Sequence, residues 1–290
     1  MKLPDFLVIG APKCGTTSLH HYLSAHPEIC MPAEKEVHYF LGPGISWGSY
    51  ERGLQWYASL FADGGEGQKR GEASPGYAVE GYSGRAARLM SEELGRVKLI
   101  YMIRDPLRRA ASHFLESYFN GHISKELTFA KVVAAGPSGG GPLSELYRDC
   151  IYTSCYGRQL EIYLGYFDRK DILVVEQEDL LVSPSETMGS IQRFIGVATQ
   201  WNDSASSRKW NVSAEKRLRR FWAPRSVVNS PLYRVASTLL PSKIRSGYRA
   251  LVSKRVDIDA LTRLEPSAVD GLRNLFDGDK QRLARLLDGS

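Results

Sequence analysis

Cysteine is scarce in this sequence. The four present, Cys14, Cys30, Cys150 and Cys155, form no CxxC pair and have no histidines at zinc-ligand spacing. That argues against a disulfide framework and a structural metal site, and for a reducing, cytoplasmic compartment. Long apolar runs are missing as well: no window approaches the roughly 20 residues that cross a bilayer. After Lys2 a short apolar stretch runs straight into a glycine-rich turn without a cleavage site, so no secretory signal is expected. Low-complexity tracts and internal repeats are absent. Acidic residues are nearly missing from Ser204 to Arg255, where Glu215 stands against thirteen Lys and Arg. That block carries +12, so the rest of a chain with net charge +6 sums to −6. A positive surface on a mildly acidic body suits an anionic partner such as a membrane or glycan, or is a solvated basic face.

What is present is an ordinary globular composition, 43% apolar and 24% charged, over 290 residues. That length buries a large core. The stretch DFLVIG (5–10) reads as a fully buried strand, followed by a loop and a helix from about 17 to 25. His26-Pro27 stops that helix, because the residue before proline is pushed out of the α region. VKLIYMIR (97–104) is a second buried strand, ended by Asp105-Pro106 and followed by a helix to about 119. DILVVEQEDL (171–180) is a third, preceded by a helical segment from 156 to 167. Continuous apolar strands alternating with helices predict an α/β fold with a central parallel β-sheet flanked by helices. AAGPSGGGP (134–142) reads as a surface loop. Apolar spacing of 3–4 residues, broken by Pro224, Pro231 and Pro241, predicts short helices in a basic insertion over 205–255. A final helix is expected over about 266–287, packed back onto the sheet. The whole, 1–290, reads as a single domain carrying that insertion.

One more absence is informative. The first strand leads into GAPKCGTT, with the GxxxxG spacing of a phosphate-binding loop at Gly10 and Gly15. The residue after Gly15 is Thr16, where a nucleoside triphosphatase carries lysine; the lysine here sits inside the loop, at Lys13. The second strand ends in Ile103-Arg104, with no acidic residue to hold magnesium. This combination argues for a phosphate site that needs no metal, and against a P-loop kinase, which remains the distant alternative.

PKCGTTSL (12–19) resembles the 5′-phosphosulfate loop of sulfotransferases that use 3′-phosphoadenosine 5′-phosphosulfate (PAPS), and IRDPLRRAASHF (103–114) is similar to their 3′-phosphate segment. KEVHYF (35–40) and GEASPGY (71–77) look like elements of the heparan sulfate 3-O-sulfotransferases and their bacterial relatives. The resemblance covers most of 4–200 and 263–288. It implies a P-loop NTPase-like three-layer sandwich and transfer of a sulfuryl group from PAPS to a hydroxyl, with 3′-phosphoadenosine 5′-phosphate (PAP) as product.

The resemblance also implies roles. Lys13 neutralises charge on the leaving phosphate, with Cys14, Gly15, Thr16, Thr17 and Ser18 around it; Cys14 is a permissive position and not a nucleophile. Arg104 and Ser112 hold the 3′-phosphate, and Arg109 is either a family arginine or a helix-face ion pair. Glu36 is the favoured general base and His38 the other candidate. Glu72 and Ser74 are candidates on the acceptor side. Ala73 replaces a lysine that heparan enzymes place near their polyanionic acceptor. Arg208 and Lys209 match a loop closing over the nucleotide, or are basic surface. Trp47, Tyr50, Trp56 and Tyr57 either stack on a sugar or pack. The expected acceptor is a hydroxyl of a glycan, glycolipid or other natural product; the alternative is a carrier-protein-bound or small-molecule hydroxyl with His38 as base. No nucleic acid is expected, and the 205–255 block adds a peripheral contact with anionic membranes.

Overall fold

The computed structural model describes residues 2–201, 218–219, 253–254 and 257–288. The apolar run Phe6–Gly10 forms β1, every residue of it buried, and α1 (Thr16–Ser24) follows the loop. Next come β2 (Ile29–Cys30), α2 (Gly53–Ser59), β3 (Lys69–Ala73) and α3 (Ser83–Leu94). β4 (Lys98–Ile103) leads into α4 (Pro106–Phe119). There Asp105 accepts the N–H of Arg108 at 2.7 Å and Pro106 takes the first helical position, a sequence-local start signal. Then come α5 (Phe129–Ala135), α6 (Gly141–Cys150), α7 (Tyr156–Leu164), β5 (Ile172–Glu176), α8 (Gln177–Val182) and α9 (Pro184–Ile195). The described remainder holds β6 (Leu218–Arg219), β7 (Ser253–Lys254), α10 (Ile258–Thr262) and α11 (Pro266–Asp288).

The five-stranded sheet has the order β2-β3-β1-β4-β5 and all its pairs are parallel. β1 is central: Phe6 pairs with Gly71 on one side and with Lys98 on the other. Phe6, Leu7, Val8 and Ile9 are fully buried, and each such side chain stabilises the fold by about 1.5–3 kcal/mol. A second apolar cluster joins α4, α5 and α6 through Phe114, Phe129 and Leu146, closed by Leu272 and Phe276 of α11. The expected α/β fold with a parallel sheet and flanking helices is what the chain adopts.

Two expectations differ in detail. The third strand ends at Glu176, not 180, because the apolar run stops there and Gln177-Glu178-Asp179 opens α8. The C-terminal helix rests on α7 more than on the sheet. Its Asp279 accepts the backbone N–H groups of Gly157 and Arg158 at 2.8 and 2.9 Å, satisfying the start of α7. The two helices come so close that a Cβ on Gly157 would lie 2.6 Å from the Asp279 carbonyl oxygen, so glycine is required there. The helical reading of 205–255 lies outside the described residues, except for 218–219 and 253–254, which pair as antiparallel strands.

Because all the strands run parallel, the loops after β1, β3, β4 and β5 leave the same edge of the sheet. That is where open parallel sheets bind ligands.

Candidate active site

The loop after β1 folds back on itself. Ala11 N–H donates to Met102 O at 2.6 Å and Cys14 N–H to Ala11 O at 3.2 Å. Gly15 precedes α1 with φ +84° and no side-chain cap, which leaves the N–H groups of the first turn for a ligand. Lys13 itself has φ +71°, a conformation costly for a residue with a Cβ and held here by its surroundings. Arg104, just past β4, fixes it by donating Nη1 to Lys13 O at 3.0 Å; the Arg104 Nε is buried with no partner. Lys13 Nζ donates to Glu116 Oε1 at 2.7 Å. Glu116 was not among the residues expected from sequence. It stands four residues after Ser112 on α4, on the same helix face, and that spacing is the signal that finds it.

Cys14 faces the other way. Its Sγ lies 3.6 Å from Tyr156 Oη, and burial pushes the thiol up to about 11, so it is an inert packing group. With its N–H bonded inside the loop, neither its side chain nor its amide turns toward a ligand. Tyr156, at the start of α7, is buried.

The segment 36–38 is tied to the end of β3. Glu36 N–H donates to Ala73 O at 3.1 Å and His38 N–H to Ser74 Oγ at 2.9 Å. Both residues have positive φ, +63° and +55°. Together with Lys13, these are the three non-glycine residues with positive φ among those described, and all three are candidate catalytic groups. Ser74 Oγ in turn donates to Glu72, whose carboxylate also receives Tyr57 Oη at 3.1 Å and Tyr77 Oη at 3.0 Å. Glu72 is 1% exposed and Ser74 is fully buried, so both brace the His38 segment from beneath without lining the cleft.

Burial pushes Glu72 up to about 7, against the lowering effect of its hydrogen bonds and of Lys35. The folded state therefore keeps a proton that the unfolded chain has lost, and the contribution of Glu72 to stability falls as pH rises from about 4.5 to 7. His20 and His38, both lowered to about 4 chiefly by burial, act in the opposite sense. The comparison between variants isolates Glu72: across that window, wild type should lose about 3 kcal/mol relative to Glu72→Gln. Denaturant titrations of both proteins at pH 5 and 7.5 measure it, and equal slopes against pH would refute it.

His38 is neutral at neutral pH, with burial and Lys35 outweighing the nearby Glu36. Its ring meets Trp47 edge-on at 4.8 Å. Burial raises Glu36, but the charge and hydrogen bond of Lys35, together with His38 and Lys13, outweigh it and hold the carboxyl below its usual range. His113 is likewise neutral, lowered by burial and by Arg109 and Lys13. Arg109 is fully buried: its Nη2 donates to His113 Nδ1 at 2.6 Å and to Asp149 O at 2.8 Å. It is an internal brace, not a helix-face ion pair.

These groups converge on a cleft of about 920 Å³. Lys13, Gly15, Thr16, Thr17, Ser18, Glu36, His38, Trp47, Arg104 and Ser112 all line it, as do Glu116, Asp149 and Tyr82. Trp56 does not; the Arg52 guanidinium sits 3.7 Å above its ring. Tyr57 is buried and Tyr50 packs on Tyr39. Arg208 and Lys209 lie outside the described residues. Among those described, no helix is long and apolar enough to cross a membrane.

A parallel sheet with a lysine-bearing glycine loop at its edge, and an arginine and a serine after the neighbouring strand, is the arrangement on which the comparisons with known proteins bear. The sulfotransferase domain family model matches residues 3–226, and the chain belongs to that family. It is similar to the bifunctional heparan sulfate N-deacetylase/N-sulfotransferase 2 of Bos taurus, 27% identical over 222 residues, 71% of this chain and 23% of that protein. It is 29% identical over 211 residues to the human N-deacetylase/N-sulfotransferase 3, covering 70% of this chain and 23% of that protein. The chain thus spans about a quarter of the length of these relatives. A crystal structure of a sulfotransferase from Alicyclobacillus acidocaldarius shares the fold, with a TM-score of 0.67 at 22% identity, over 99% of this chain and 97% of that one.

Proposed function

We propose that this sulfotransferase moves the sulfuryl group of PAPS to an acceptor hydroxyl and releases PAP. The observation that carries the reading is the meeting, in one cleft, of Lys13, the open first turn of α1, Arg104 and Ser112. The orphaned Arg104 Nε and the uncapped α1 start fit a dianionic donor at both ends, since each offers N–H groups that lack an acceptor. When bound, the donor supplies an activated sulfuryl group on a phosphate leaving group.

Lys13 and the N–H groups and hydroxyls of Gly15, Thr16, Thr17 and Ser18 hold the 5′-phosphosulfate. Arg104 and Ser112 hold the 3′-phosphate, and Arg208 and Lys209 add contacts to the nucleotide. Glu36 takes the hydroxyl proton as the acceptor oxygen bonds to sulfur, while Lys13 neutralises the electron pair left on the 5′-phosphate oxygen. No metal is called for, because Lys13 and the helix start carry the compensating charge. A second reading keeps the donor and makes His38 the base for a carrier-bound or small-molecule hydroxyl; its neutral imidazole in the cleft favours it. An amine acceptor is a further arm, in line with the N-sulfotransferase relatives. The chain as a whole is read as one sulfotransferase domain, with 205–255 as its basic elaboration and a contact for anionic membranes.

Calorimetric titration tests the donor. PAP should bind with micromolar-range affinity in the presence of EDTA. Binding of ATP alone, and only with magnesium, would overturn the reading in favour of a kinase.

A further inference from the structure

The cleft also carries information about the acceptor, and this inference rests on the donor reading above. Trp47 is 47% exposed while lining the cleft. Its ring is braced edge-on by His38 at 4.8 Å and by Tyr82 at 5.4 Å. Gly76 lies beneath it: a Cβ there would fall 2.9 Å from the His38 ring and 3.0 Å from Trp47 Cζ3. A flat apolar surface is thus held next to both candidate bases. The C–H face of a pyranose ring matches such a surface.

The charge of the cleft points the same way. Among the described lining residues, Lys13 and Arg104 are the cations, and the donor engages both. Glu36, which Lys35 pairs, and Glu116 and Asp149 supply three carboxylates, and His38 and His113 are neutral. A donor that engages Lys13 competes with Glu116 for it, so Glu116 is left as a carboxylate able to accept hydroxyls. A sulfated or uronic polymer would bring its charge against these carboxylates and the donor phosphates. Sugar hydroxyls, by contrast, donate hydrogen bonds to carboxylates.

We infer that the acceptor is an uncharged sugar ring that stacks on Trp47 and donates its hydroxyls to Glu116 and Asp149, and that this acidic lining rejects polyanionic glycans. The test uses the full chain with radiolabelled PAPS, offered cellobiose and octyl glucoside as neutral probes and N-acetylheparosan as the polyanion. Neutral probes should be favoured by about 100-fold in kcat/KM. Trp47→Ala should raise the neutral-acceptor KM about tenfold while the PAP Kd, titrated on the same samples, stays unchanged. The pair Glu116→Gln and Asp149→Asn should raise heparosan turnover about tenfold. Label entering heparosan preferentially, entering both equally, or entering neither overturns the inference, as does an unchanged KM in Trp47→Ala. Failure of PAP to bind would instead overturn the donor assignment, so the two readings fail separately.

Discussion

Lys13→Ala is expected to lower kcat about 10³-fold while leaving the melting temperature within a degree or so of wild type. The large kinetic effect follows from what the lysine faces. Sulfuryl transfer has a loose transition state, in which charge collects on the bridging oxygen and the departing phosphate. A cation placed there before the reaction begins acts at full strength. The small stability effect follows from position: the Lys13 side chain is 18% exposed and its partner Glu116 37%, and so wet an ion pair contributes little to folding. PAP affinity should fall about tenfold, partly because Glu116 then faces the phosphates unpaired. Adding Glu116→Gln to Lys13→Ala should restore PAP affinity and leave kcat low, which separates ground-state repulsion from catalysis. Radiometric assays with calorimetry and thermal melts measure all three quantities. Near-normal kcat in Lys13→Ala would remove Lys13 from the chemistry.

Glu36→Gln should reduce kcat/KM by about 10²–10⁴-fold, the range for loss of a general base. Glu36 is held below the usual carboxylate range and His38 is lowered to about 4. Either base is therefore competent throughout neutral pH, and the wild-type rate should stay flat from about pH 6 upward, falling only in acid as the base is protonated. Because both candidates lose activity on the acid side, the profile alone does not choose between them. Substitution does: Glu36→Gln with full activity and His38→Ala without it would move the base to His38. Glu36 is half-exposed, so Glu36→Gln is not confounded by unfolding, and a thermal melt of His38→Ala, whose ring packs on Trp47, separates loss of the base from loss of the fold.

The half of the cleft proposed for the donor was legible because it is made of consecutive residues. Phe6 to Ser18 and Leu99 to Ser112 are each a buried apolar run, a breaker and a helix start, and their spacing alone puts Lys13, Thr16, Arg104 and Ser112 at strand ends. Buried parallel strands need no partner-specific pattern, so the class of fold could be read from the same runs. Glu36 and His38 were visible as types, but not why they are held: their positive φ is imposed by hydrogen bonds to Ala73 and Ser74, more than thirty residues on.

The half proposed for the acceptor was decided by tertiary structure. Trp47 and Trp56 are equivalent in the sequence, yet one lines the cleft and the other lies under Arg52. Glu72 and Glu116 are both plausible acids, but the turn after β3 buries the first beneath two tyrosines while α4 turns the second onto Lys13. By itself the sequence determined the parallel α/β class and the glycine and lysine spacing of the loop after β1, because each is written in apolar runs and breakers that are consecutive in the chain. Which carboxylates and which aromatic line the cleft were decided only by how distant segments pack, because burial and side-chain direction belong to the folded neighbourhood and not to residue type.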